Sequence, residues 1–147
     1  MKKILFLIVV SIFISCTEDD NPSNDINQTI SRLNQTVSSG NWIISYFFDS
    51  DSDETSNFSG FEFSFNNEGS LIAQNGNLIY SGTWSIIDSN SNDDSNDDVD
   101  FNIVFTTPAE FMDLSDDWDV INITDSKIEL IDVSGGNGGT DYLTFER

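Results

Sequence analysis

Residues 77–87 read NLIYSGTWSII. Leu78, Tyr80, Gly82, Trp84 and Ile86 fall on one face of an extended chain, and Ile79, Ser81, Thr83, Ser85 and Ile87 on the other. A period of two with one large, apolar face predicts a strand that is buried on one side and wet on the other. That one-sided pattern belongs to antiparallel sheet, because parallel strands are covered on both faces. Asn75-Gly76 just before it predicts a hairpin with a type I′ turn, whose two central positions need positive φ.

Working outward, the same pattern recurs in short segments. Residues 58–65, FSGFEFSF, place Phe61, Phe63 and Phe65 on one face; Asn66-Asn67-Glu68-Gly69 turns the chain, and 70–74 returns. Residues 99–105 alternate with Val99, Phe101, Ile103 and Phe105 inward. Residues 118–124, 127–133 and 142–147 follow, and 42–48 stands at the head of the series within GNWIISYFF (40–48). In 118–124 the phase is broken, since Trp118 and Val120 oppose Ile121 and Ile123, which predicts a bulge or burial on both sides. Eight strands joined by polar or glycine-rich turns predict an all-β fold, an eight-stranded antiparallel up-and-down barrel. Closure removes the exposed edges of such a sheet, and a two-sheet sandwich is the alternative.

Two non-strand segments accompany the barrel. Ile26, Ile30, Leu33 and Val37 share one face of a short N-terminal helix, with Asp25 as its N-cap, expected to cover one barrel end. Residues 107–117, TPAEFMDLSDD, predict a helical turn with Thr107 as N-cap and Pro108 in the first turn. Its Phe111, Met112 and Leu114 are placed to plug a barrel mouth.

The 147 residues allow one domain, and the composition is strongly acidic: 26 Asp and Glu against five Lys and Arg, a formal charge of −21. Such a surface repels phosphate backbones and anionic headgroups, so nucleic acid is a poor partner and none is expected. There is no His, which removes the commonest general base and nitrogen ligand.

The chain begins as an exported protein does. Lys2 and Lys3 precede residues 4–14, apolar except for Ser11, a run too short to span a bilayer but suited to a signal peptide. Cys16, the single cysteine, cannot form an internal disulfide. Its place behind Ser15 resembles the lipobox of bacterial lipoproteins, in the loose form of the Bacteroidetes type, with Phe13 where Leu is commonest. That resemblance implies cleavage before Cys16 and lipidation of its thiol. Thr17-Glu18-Asp19-Asp20 resembles the acidic export signal of such lipoproteins, implying the outer membrane and the cell surface, with the periplasmic face as the alternative. The expected organisation is a signal peptide over 1–15, a flexible tether over 16–25 and a barrel domain over 26–147.

Gly40-Asn41-Trp42 at the head of the first strand, behind a short helix, resembles the Gly-x-Trp signature of lipocalins. Phe61–Gly69 with its Asn-Glu-Gly turn, Gly82-Thr83-Trp84 and Tyr142-Leu143-Thr144-Phe145 are similar to the lipocalin-like domains of bacterial lipoproteins. The resemblance implies that Trp42 closes the barrel floor beneath a basic residue near the chain end, here Arg147. It also implies a binding module, with binding at the opposite end.

The chemistry on offer is narrow. No nucleophile–base pair is recognisable and no cofactor is implied, so the expectation is a non-enzymatic protein. Phe61, Phe63, Tyr80, Trp84, Phe101 and Phe105 are candidates to line a pocket for a small apolar ligand, or else to fill the interior. The alternating acids Asp49, Asp51 and Asp53 resemble the start of a calcium loop, as does the longer 88–98, DSNSNDDSNDD. Both lack the glycine and the closing Glu of an EF-hand and read first as solvated loops. Residues 134–139, SGGNGG, lack the following helix a phosphate site would need. Besides the ligand-binding module, the chain admits a lipid-tethered interaction protein with a filled barrel, or an inhibitor of a basic enzyme cleft.

Overall fold

A computed structural model describes residues 22–89, 99–133 and 139–147, with backbone alone at 22–25. The order is α1 (Pro22–Val37), β1 (Asn41–Asp49), β2 (Ser52–Asp53), a 3-10 turn (Thr55–Phe58), β3 (Glu62–Phe65), β4 (Ser70–Asn75), β5 (Leu78–Asp88), β6 (Val99–Phe105), α2 (Ala109–Met112), β7 (Asp116–Ile123), β8 (Lys127–Val133) and β9 (Thr140–Glu146). Each of β3 to β8 pairs antiparallel with the next, and β1 pairs with both β3 and β9. Those two pairings close an eight-stranded up-and-down barrel, with β2 as a two-residue addition to β1.

Inward faces follow the sequence pattern. Phe63 and Phe65 on β3, Leu71 and Ala73 on β4, Trp84 and Ile86 on β5 and Val99, Phe101, Ile103 and Phe105 on β6 are buried. Gly82 holds an inward position because a Cβ there would stand 2.6 Å from the Val104 carbonyl oxygen and 2.9 Å from the Phe105 ring. All three indoles turn inward, and each N–H finds a backbone carbonyl: Trp42 to Val37 at 2.8 Å, Trp84 to Asn66 at 2.9 Å, Trp118 to Leu114 at 3.1 Å. A buried indole without such an acceptor would carry the cost of an unmet donor.

Several boundaries differ from expectation. Helix α1 begins at Pro22, so Asp25 lies inside it rather than at its N-cap, and residues 22–25 belong to helix instead of tether. Its stripe holds: Val37 is fully buried and Ile26, Ile30 and Leu33 pack against the core. The β4–β5 turn is shifted by one residue. Asn75 pairs with Leu78, leaving Gly76 and Asn77 central, and of these only Gly76 has positive φ. That is the pattern of a type II′ turn, not I′. The strand expected over 58–65 starts at Glu62, because Gly60 takes φ +81° and Phe58 folds in with the 3-10 turn.

At the break in β7, the register slips between Val120 and Asn122, the first of the two explanations that the sequence phase left open. A second slip, between Ile44 and Tyr46 on β1, had no sequence signal. Before α2, Pro108 itself occupies the N-cap, after a cis Thr107–Pro108 bond, so Thr107 is not the cap. No helix among the described residues is long and apolar enough to cross a membrane.

Candidate functional site

The end of the barrel near α1 is closed. Arg147, just past β9, lays its guanidinium over the Trp42 ring with Cζ 4.3 Å from the ring centroid. Its Nη1 donates to Ser39 Oγ at 3.1 Å and its Nε to the Asp125 carbonyl. Gly40 makes room, since a Cβ would sit 2.6 Å from Arg147 Nη1. Trp42 is fully buried, and β1 has its only two pairings to β3 at Asn41–Ser64 and Trp42–Phe63. The floor expected from the Gly-x-Trp motif and Arg147 is therefore present in this geometry.

The six pocket candidates do not surround one space. Trp84 and Phe101 stand toward the floor against Phe65, at centroid distances of 5.3 and 5.6 Å, and against each other at 5.7 Å. Phe61, Tyr80 and Phe105 gather at the other end around Phe111, at 5.0, 4.8 and 5.2 Å. Phe63 lies between the groups, 6.1 Å from Phe111 and 5.4 Å from Phe145. Phe58 adds a further ring 5.3 Å from Phe111. Phe111 is thus wedged among five aromatic rings and buried, with Leu114 fully buried three residues later. Met112 does not share that role; it is half exposed. The centroid distances lie in the range of packed edge-to-face and offset pairs.

Around the α2 end the surface is acidic. Asp49, Glu54 and Asp113 bring carboxylate oxygens within 4.8 Å of one another. Asp113 is held above the usual carboxylate range by partial desolvation and by the charges of Asp49, Glu54 and Glu110. Asp116 is pushed up to about 6, by desolvation first, then by a hydrogen bond with Asp117 and the charge of Asp132.

The calcium candidates part company here. Asp49 joins Glu54 and Asp113, whereas Asp53 accepts a hydrogen bond from the Thr55 N–H at 3.0 Å. The Thr55 hydroxyl and N–H together hold the Asp53 carboxyl below its ordinary value. Asp51 belongs to neither arrangement among the described residues. The expected trio is not assembled, because β2 turns back on β1 within two residues and separates its members. Sequence reasoning placed Glu54 in the same acid-rich loop as Asp49 but missed Asp113, which follows α2 some sixty residues away with no local signal to join them.

Cys16, the acidic signal after it, most of the acidic stretch 88–98 and Asn137 lie outside the described residues. A shallow recess of about 460 Å³ lies on the polar face of α1, along Gln28, Thr29, Ser31, Arg32 and Gln35. It is not the aromatic interior.

No family model and no curated protein matches the chain. Among solved structures, it is similar to a DUF4847 family protein from Bacteroides vulgatus, at 16% identity and a TM-score of 0.49. The match covers 78% of this chain and 96% of that one.

Proposed function

We propose that the protein is a lipid-anchored, lipocalin-like barrel of the bacterial outer membrane that works from its outer surface and not from an internal pocket. The observation carrying this reading is Phe111, buried among Phe58, Phe61, Phe63, Tyr80 and Phe105, so that the aromatics fill one another's space. An eight-stranded barrel is narrow enough to be filled in this way. Anchoring at Cys16 and display at the cell surface rest on the leader and on Thr17-Glu18-Asp19-Asp20. A non-enzymatic role rests on the absence of His and on carboxylates that sit at a solvated rim rather than across a cleft.

Native mass spectrometry of the protein purified from its own host tests the filled barrel. The expected mass is that of the lipidated chain alone; a co-purifying apolar molecule would restore the ligand-binding module. Globomycin is expected to make the precursor accumulate, and unaltered processing would remove the lipid anchor.

A further inference from the structure

Nearly every described aromatic ring is packed in the barrel, but Tyr46 and Tyr142 are exposed and Phe48 is part-buried beside them. These three stand together on the outer face of β1 and β9, next to β8. Tyr46 and Phe48 have centroids 6.4 Å apart and ring planes within 20°. Phe48 lies directly opposite Tyr142, and Tyr142 opposite Ile131. Tyr46 and Tyr142 are 40% and 38% exposed, and Val133, two residues along from Ile131, is 62% exposed. Residues opposite one another on antiparallel strands share a face, so these rings form a contiguous apolar stripe.

The pairing also fixes what borders the stripe. One row runs Asp53–Phe48–Tyr142–Ile131–Asp119. The next runs Tyr46–Thr144–Glu129–Asn122, and the last Ile43–Glu146–Lys127. Lys127, the single base in these rows, is held by Glu129 at 2.6 Å. Aromatic rings are thus edged by carboxylates on a chain whose formal charge is −21.

That combination selects its occupant by charge. A second copy would bring two strongly acidic molecules face to face, and an anionic lipid surface would be repelled. A guanidinium satisfies both features at once, stacking on a ring face while its N–H fork meets a carboxylate. We propose that this outer face, centred on Tyr46, Phe48 and Tyr142, docks an arginine-rich segment of a partner protein. The proposal rests on the surface-acting reading above and names its partner's chemistry.

The test is calorimetric titration of the purified full chain in detergent at physiological ionic strength, where charges beyond about 8 Å are screened. The probes are an arginine–glycine repeat peptide, its lysine–glycine counterpart and a neutral β-glucan. The arginine peptide is expected to bind to saturation and more tightly than the lysine one. Tyr46→Ala with Tyr142→Ala should weaken it about tenfold without changing the thermal midpoint. Glu68→Gln with Glu110→Gln, which removes two charges outside the rows, should leave binding unchanged. Equal binding of both peptides, indifferent to the tyrosines, would mean plain charge attraction and overturn the proposal. So would no binding, saturation by the glucan, or a sedimenting dimer abolished by the tyrosine variants. These failures leave the filled barrel standing, whereas a co-purifying apolar ligand would sink that reading itself.

Discussion

Trp42 joins three interactions that close the barrel floor. It is fully buried, its indole N–H is satisfied by Val37, and Arg147 caps its ring. Trp42→Ala should cost ~3–5 kcal/mol in urea-induced unfolding, the range for large aromatics deleted from cores. A loss under about 1 kcal/mol would mean that the floor does not depend on this ring. Asp116 gives a prediction of opposite character. Its folded value, about 6, lies above the ordinary 3.8, so the fold takes up a proton before the unfolded chain does. Stability therefore rises as pH falls through about 6 and the gain is complete below the unfolded value. Asp53 and Glu129, held low by Thr55 and Lys127, act in reverse and lose their contribution as pH falls further. The thermal midpoint should increase from pH 7.5 toward pH 5 and then decline, and Asp116→Asn should flatten the rise. Motif and chain position made Trp42 and Arg147 legible in the sequence. The state of Asp116 was not, because it depends first on how far the assembled barrel desolvates it, and only then on Asp117 and on the charge of Asp132 from another strand.

At the scale of elements, α2 is the segment whose role matters most. Four residues of helix carry Phe111 into the aromatic group of Phe58, Phe61, Phe63, Tyr80 and Phe105. Phe111→Ala should destabilise the barrel by about 3–5 kcal/mol if the surroundings stay in place. The vacated apolar space should then take up benzene or xenon in a crystal soak, as dry engineered cavities do. Failure of the variant to bind either, with an unchanged thermal midpoint, would show that Phe111 is not part of the packing. The strands were legible because alternation is a local property: the inward face of 99–105, a break in β7 and most of the 77–87 pattern appear where the sequence places them, although Leu78, at the open end of β5, is exposed. Turn chemistry was legible only to within one residue. Gly76 serves the hairpin as the first central residue of its turn, not the second, since pairing of Asn75 with Leu78 decides the register. The β1 bulge and the 3-10 turn over Thr55–Phe58 answer to tertiary fit, for which single-sequence patterns hold no signal.

For the molecule as a whole, the strands followed from counting alternating segments and the covering helix from the spacing of Ile26, Ile30, Leu33 and Val37, whereas closure was preferred to a sandwich without being decided and the packing of the inward aromatics left no signal. Six inward aromatics are compatible with a pocket until one knows that Phe111 enters among four of them and that the other two pack with Phe65 at the floor. Volume is a property of the assembled barrel and leaves no trace in periodicity. The pairing of β1 with β9 has a consequence for the order of assembly. From β3 to β9 each strand meets the next across a short connection, apart from the longer links on either side of β6, whereas Ile43 meets Glu146 from the far end of the chain. Closing that loop costs entropy before any contact rewards it, so the meander forms early and β1 zips in last. Ile44→Ala should then mainly accelerate unfolding, while Ile103→Ala should slow folding, as read from the two arms of a chevron plot. Until β1 arrives, β9 and β3 present open edges, and the folding chain passes through a stage in which a neighbouring molecule's β1 fits as well as its own.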